Sequence, residues 1–456
     1  MRRQRFHLFG PAAVLAVLAL AACGGGSSSS SSSGSTAAGA APASTAGGAA
    51  STAADTNVSG TVTFTGVWTG DEQKNFQAVI DGFNKQFPNV TVKYTPAGDQ
   101  LPTILATAVS GGKPPDMASV PQPGLMKDFQ EKGALQPIDY AKDDVTQNFG
   151  DAITQLGTID NKLYGFVFKA ANKSTVWYNV PAFTDAGVQP PKTWDELTTA
   201  AGTLQSSGVP AYSLGGADGW TLTDLFENIY LRQAGPDMYD KLSTHAIPWT
   251  DPSVATALTT MSKIVGDTSN IAGGTSQALQ NDFPTSVSDV FSQPPKAAMV
   301  FEGDFVGGVI TSSTKAEPKT GFDVFTFPTI NDSPPAVVGG GDTVITFNDT
   351  PAVQALVTYL ATPEAASIWA AKGGFSSANK KVDPSVYPDD ITRATASALA
   401  EADTFRFDMS DLAPAAFGGT VGQGEWKQMQ DFVKSPSDVD GAAEKLEADA
   451  AKAFGS

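Results

Sequence analysis

The 456-residue chain has one cysteine and two histidines. A lone thiol, Cys23, can form neither an intramolecular disulfide nor a thiolate metal cluster. His7 belongs to the leader described below, so only His245 stays with the body. A histidine-based metal site, a Ser-His-Asp triad and a Cys-His pair are thereby excluded, and no metal or other cofactor is expected. Positive charge is also short: 29 Lys and Arg stand against 47 Asp and Glu, a net charge of −18. That balance argues against nucleic acid and anionic lipid as partners, and disfavours a strongly anionic ligand. There is no phosphate-cradling P-loop, Gly339-Gly340-Gly341-Asp342 lacks the dinucleotide spacing, and no internal repeat stands out.

Residues 1–22 read as an export signal. Arg2, Arg3 and Arg5 form a basic start, and Leu8 to Leu20 is an apolar run too short to span a membrane comfortably. The Arg pair hints weakly at twin-arginine export; Sec is the default. Leu20-Ala21-Ala22-Cys23 resembles the lipobox of bacterial lipoproteins. The resemblance implies cleavage before Cys23 and lipid on it, tying the chain to the extracytoplasmic face of a membrane. Residues 23–56 are almost all Gly, Ser, Ala, Thr and Pro, a composition that cannot build a core and behaves as a flexible tether.

The roughly 400 residues from Asn57 onward suffice for two lobes. Thr61 to Val67 is rich in β-branched and aromatic residues and reads as a strand. It breaks at Gly66 and Gly70. Phe76, Val79, Ile80, Phe83 and Phe87 then mark one face of a helix. Val90 to Tyr94 reads as a second strand, Leu101 to Val109 as a helix, and Asp116 to Val120 as a short buried strand. This alternation indicates a parallel sheet covered by helices. In such α/β sheets ligands sit beyond the carboxyl ends of the strands. Trp68, Asp71 and Glu72 stand at such an end; from position alone Trp68 is as well placed to pack over the first helix as to meet a ligand.

Further motifs carry a specific resemblance. Gly66 to Asp71, Gly112-Lys113-Pro114-Pro115-Asp116 and Pro121-Gln122-Pro123-Gly124-Leu125 stand in order with Tyr164-Gly165, Val176-Trp177-Tyr178-Asn179 and Lys192-Thr193-Trp194-Asp195-Glu196-Leu197. Thr362-Pro363-Glu364-Ala365-Ala366 and Gly373-Gly374-Phe375 complete the series. Over about Thr61 to Phe432 the chain resembles the extracellular solute-binding proteins of carbohydrate ABC importers, nearest to their α-glucoside-binding branch. Several of these phrases read as structural: Thr193 with Glu196 forms a capping box, and Thr362 with Pro363 starts a helix. Trp177 and Trp369 read as core.

The resemblance implies a two-lobed α/β fold of the periplasmic-binding-protein type, with hinged lobes and several crossovers. One lobe would take residues 57–170 plus 342–374, the other 171–341 plus 375–456. Gly339–Gly341 and Gly373–Gly374 would sit at crossovers, where glycine tolerates a hinge's torsion changes. The expected partners are a neutral sugar and the transmembrane subunits of an ABC permease, with the chain itself a monomer.

Sugars offer C–H-rich ring faces to aromatic rings and hydroxyls to carboxylates and amides. Five stretches supply that mixture from loops: Trp68, Asp71 and Glu72; Gln122 in its proline-bracketed loop; Asn172, with Lys169 and Lys173 beside it as site residues or solvated charges; Asp218 and Trp220 in Gly215-Gly216-Ala217-Asp218-Gly219-Trp220; and Glu302 with Phe305. Asn172, the Asp218–Trp220 pair and Phe305 are placed there by the resemblance. Asp342 would return to the cleft, and Arg406 would either bridge hydroxyls or pair with Asp408. The rival enzyme reading is a glycoside hydrolase using Glu302 and Asp342, which needs carboxyls about 5–5.5 Å or about 6.5–9.5 Å apart. A third reading keeps the fold and changes the cargo to a non-sugar solute.

Overall fold

The strand expected near Thr61 forms as β1, Gly60–Gly66, with Val62 and Phe64 buried in the computed structural model, which describes residues 57–455. The expected signal, Cys23 and the tether lie outside the described residues. Gly70 takes φ +55° and opens helix α1, Gly70–Gln86. Asp71 and Glu72 fall in its first turn, where the helix dipole favours negative charge. Phe76, Val79, Ile80 and Phe83 bury one stripe of α1. β2 (Val90–Pro96) and β3 (Met117–Val120) flank β1, both parallel to it.

The chain next supplies β4 (Gly165–Asn172) to the same sheet. It crosses at Lys173-Ser174 and builds a second sheet from β5 (Thr175–Asn179), β6 (Tyr212–Ser213), β7 (Met299–Phe301) and β8 (Phe322–Thr326). It returns with β9 (Val337–Thr346), β10 (Ser376–Ser377) and β11 (Phe405–Phe407). The first sheet runs β10-β4-β9-β3-β1-β2 with β11 paired to β9; the second runs β8-β5-β7-β6. β9 pairs antiparallel with both β4 and β3. The first sheet is therefore mixed and not wholly parallel: β4 leads toward the second sheet, and the strand that comes back must run the other way. β10 and β11, assigned to the second lobe on sequence grounds, pair in the first sheet, and β9 straddles the expected boundary at Gly341–Asp342.

Each sheet has its own core. Val62, Phe76, Phe166 and Trp369 pack under the first; Val176, Phe226, Trp249 and Leu446 pack under the second. The helices between follow their caps. α2 (Pro123–Glu131) starts on a proline, and α3 (Trp194–Ser206) on the full Thr193–Glu196 capping box. α4 (Trp220–Ala234) is buried along nearly its whole length. α5 (Val306–Ser313) follows β7, and α6 (Pro363–Ala370) is capped by the Thr362 hydroxyl, which accepts from the Ala365 N–H. α7 (Gly424–Lys434) and α8 (Val439–Phe454) close the second core with Met429, Phe432, Leu446 and Ala450. No described helix is long and apolar enough to cross a membrane.

Gly339–Gly341 differ from the expected crossover linker: they lie inside β9, paired with Asn172, Ala171 and Ala170. Their reason is close approach. A Cβ on Gly340 would come within 2.7 Å of Lys173 Cε, and one on Gly341 within 2.4 Å of Val167 Cγ1. Gly373 and Gly374 do need glycine torsions, with φ of +80° and +62° just past α6.

Candidate functional site

A cavity of about 630 Å³ opens between the two sheets, within the range of small-molecule sites. Its walls are strand ends and helix starts from both sides: the β1–α1 turn, the segment after β2, the loop before α2, the end of β4, the loop into α4, and the start of α5. Seven of the eleven expected ligand residues line it: Asp71, Glu72, Gln122, Asp218, Trp220, Phe305 and Asp342.

The other four stand elsewhere. Trp68 is 0% exposed and packs on Phe64, Phe76 and Trp369, so its ring has no free face. It acts one layer back, donating its indole N–H to Asp342 Oδ2 at 2.6 Å. Asn172 is turned into the protein: Nδ2 donates to the Thr395 carbonyl, and Oδ1 accepts from the Ser174 N–H. Glu302 is buried behind the wall, accepting from its neighbour's N–H at Gly303. It does not share the cavity with Asp342, so the carboxylate pair a hydrolase would need does not face one ligand. Arg406 leaves the site altogether, its Nε 2.5 Å from Asp240 Oδ1; neither the sugar role nor the Asp408 pairing holds.

One wall is aromatic. Trp220, Phe283 and Phe305 form a triangle with ring centroids 5.2 to 6.1 Å apart and planes inclined at 55° to 81°. Edge and tilted packing of this kind holds rings rigidly while leaving part of each face to the cavity. Phe283, at the start of its own helix, was not singled out by any sequence signal.

The adjoining wall is ionic. Lys169 Nζ lies 2.8 Å from Glu72 Oε1 and 3.7 Å from Asp342 Oδ2, and 5.2 Å over the Phe305 ring. Burial alone would depress its pKa, but Glu72 and Asp342 outweigh that and raise it. Lys173 Nζ sits 3.1 Å from Asp224, 2.5 Å from Asp408 and 3.5 Å from Asp411, and 5.8 Å over the Trp220 ring. Both lysines are buried or nearly so, with side chains 6% and 10% exposed, and neither is a solvated charge. Around Lys173 there are more carboxyls than one ammonium can balance. Asp408 keeps its charge, held well down by Lys173 and hydrogen bonds against the cost of burial. Burial and the neighbouring charges push Asp224, Asp411, Glu227, Glu302 and Glu425 up.

At the mouth, Asp99 meets Asp218 and the Trp220 indole across the cleft. Burial, then the charge of Asp218, lifts Asp99 from 3.8 to about 7. Asp71 makes a second contact across the cleft, with Ser312 on α5. Residues that sequence reasoning missed are therefore Asp99, Phe283, Asp408, Asp411 and Trp426. Asp99 stands just past the end of β2, the position where strand ends meet ligands, and that was its one available signal. Among the described residues no group of three or more His, Cys, Asp or Glu stands where it could hold a metal ion.

The chain matches the family model for bacterial extracellular solute-binding proteins over residues 68–367. It is 33% identical to the osmoprotective compounds-binding protein GgtB of Synechocystis sp., over 82% of this chain and 88% of that one. It is 32% identical to the alpha-glucosides-binding periplasmic protein AglE of Rhizobium meliloti, over 84% of this chain and 85% of that one. Among solved structures it superposes on the bacterial solute receptor AcbH with a TM-score of 0.76 at 21% identity, covering 87% of this chain and all of the other. The chain belongs to the bacterial extracellular solute-binding proteins, a family of two-lobed receptors and not of enzymes.

Proposed function

We propose that the chain is the capture receptor of an ABC importer for a neutral sugar, an α-linked glucoside of two or more rings, held between its lobes. The observation that carries the reading is one cavity lined both by the Trp220–Phe283–Phe305 rings and by Glu72, Asp342, Asp408 and Asp411. Flat rings match sugar C–H faces, and carboxylates accept from hydroxyls. Lys169 and Lys173, the two buried cations of the cavity, are already neutralised by protein carboxylates. The α-glucoside specificity leans on the relative AglE, while the relative GgtB is named for osmoprotective compounds.

In this account the two lobes are those built on the two sheets, with β9, β10 and β11 counted with the first. The sugar bridges them and so favours the closed form over the open one, which is the only way a ligand can shift that population. The closed monomer then docks on a membrane permease, and lipid on Cys23 keeps it at the extracytoplasmic face of the cell membrane. Isothermal calorimetry with maltose, trehalose, sucrose and a charged control, glucose 6-phosphate, tests the ligand class. The reading expects binding at micromolar Kd or tighter to at least one neutral sugar and none to the phosphate. Heat from the phosphate alone, or from none of the four, removes it.

A further inference from the structure

Asp304 stands in the loop between β7 and α5, on the second sheet's side, yet its bonds reach the first sheet. β10 pairs with β4 in an antiparallel register that sets Ser376 opposite Ala170 and Ser377 opposite Lys169. Continued along both strands, that register would put Gly374 opposite Asn172. Gly374 instead turns away with φ +62°, and β10 starts only at Ser376. Asp304 takes the vacated place. Its N–H donates to the Asn172 carbonyl at 3.0 Å, and its Oδ2 accepts from the Asn172 N–H at 3.1 Å. The Ser376 hydroxyl donates to the same oxygen. Asp304, Asn172 and Ser376 are all buried, where backbone groups left unpaired are costly.

The loop is also held from its own side. The Glu302 N–H donates to the Thr175 carbonyl at 3.3 Å, and the Trp177 indole N–H donates to the Gly303 carbonyl at 3.1 Å. Thr175 and Trp177 belong to β5. Residues 302, 303 and 304 are thus each bonded to one sheet or the other, and the next residue is Phe305. The Phe305 ring folds back on this loop: a Cβ on Gly303 would come within 2.4 Å of Phe305 Cε1. Lys169, whose ammonium lies over the ring, is on β4, the strand that Asp304 grips.

We propose that Asp304 is a positioning residue of the binding site: by bonding to the end of β4 and the start of β10, it fixes the loop that presents Phe305 to a sugar. Asp304 does not itself line the cavity, so it acts through the ring beside it. An aromatic ring set in place beforehand meets a ligand without the entropy cost of being ordered on binding. Above pH 7 the Asp304 carboxyl, lifted by burial to about 6, is charged and its oxygen accepts at full strength.

The assignment rests on the sugar reading above, and two measurements at pH 8 separate them. The first needs no ligand. Wild type, Asp304→Ala and Ser376→Ala are labelled with 4-fluorophenylalanine, and the Phe305 fluorine resonance is identified by its loss in Phe305→Ala. It is expected to shift or broaden in both variants. The second is a calorimetric double-mutant cycle with whichever of maltose, trehalose and sucrose binds most tightly. Asp304→Ala is expected to weaken binding about 10-fold, and Ser376→Ala about 3-fold, the range of one or two net hydrogen bonds. Asp304→Asn keeps an acceptor and stays within about 3-fold of wild type. In a Phe305→Ala background either loss shrinks to less than about 2-fold, because the ring being positioned is gone. A purely structural role would weaken both backgrounds by the same factor. If Asp304→Ala fails to fold, Ser376→Ala carries both measurements. A Phe305 resonance at its wild-type position in the folded variants, or affinity losses that multiply in the double variant, overturns the assignment. No heat from wild type with any of the sugars overturns the sugar reading, and the fluorine spectrum then decides alone whether Asp304 places the ring.

Discussion

Trp68 reaches Asp342 across 274 residues of sequence: the indole N–H donates to Oδ2 at 2.6 Å, and Lys169 Nζ approaches the same oxygen at 3.7 Å. The bond joins the first core to the wall of the cleft. It fixes where the carboxylate points, since Asp342 emerges from β9 and would otherwise turn freely toward Lys169. Trp68→Phe keeps most of the ring packing and removes the donor. A charge-assisted bond lost in this way costs about 1.5–3 kcal/mol. Chemical denaturation should show that loss, and sugar affinity should fall with it. An unchanged affinity would show that Asp342 does not face the ligand.

Lys173 is the sole cation within reach of Asp224, Asp408 and Asp411 among the described residues. Lys173→Met preserves volume and strands those carboxyls. Removing one partner of a buried ion cluster costs about 3–5 kcal/mol. The variant should be strongly destabilised at pH 8 and partly restored at pH 5, where the stranded carboxyls take up protons. Equal loss at both pH values would contradict the charge argument.

Several carboxyls bind protons more tightly in the folded chain than their ordinary values allow. Burial lifts Asp99 to about 7 and Asp304 to about 6, and it also raises Glu302, Asp224 and Glu425. Their raised folded pKa values mean that stability is greatest on the acid side and declines as pH rises from about 4 through about 7. Asp116 and Asp408 are held low, and they withdraw stability only as pH falls below about 4. The urea midpoint should therefore be higher at pH 5 than at pH 8, and Asp99→Asn should shrink the difference. A midpoint that rises from pH 5 to pH 8 would refute the assignment.

Gly340 makes room for Lys173. A Cβ there would meet the lysine chain at 2.7 Å. Gly340→Ala should cost about 1–3 kcal/mol by overpacking and weaken sugar binding by displacing the ammonium from over Trp220. Wild-type affinity and stability together would show that the lysine chain simply moves aside.

Much of the fold was legible because its signals are local. The stripe of α1, the Thr193–Glu196 box and the β-branched run of β1 each declare an element within a few residues. The cleft was legible where a residue's place at a strand end was enough, as for Asp71, Glu72, Gln122 and Asp342. It failed where orientation or distant partners decided. Trp68 sits at the right turn but faces inward. Arg406 lies on the right stretch, yet Asp408, two residues on, is the one that turns to the cleft. Lys173 could not be told from a solvated charge because its three carboxylates lie 51, 235 and 238 residues away. No window along the chain contains that cluster.

The central claim is that a neutral sugar rests against Trp220 between the lobes. Calorimetric titration of wild type and Trp220→Ala with the tightest-binding of maltose, trehalose and sucrose tests it most directly. Truncating an aromatic anchor at the centre of a contact typically costs at least about 2 kcal/mol, so the variant should lose at least about 30-fold in affinity while unfolding near the wild-type temperature. A folded Trp220→Ala variant that binds the sugar as tightly as wild type would contradict the account.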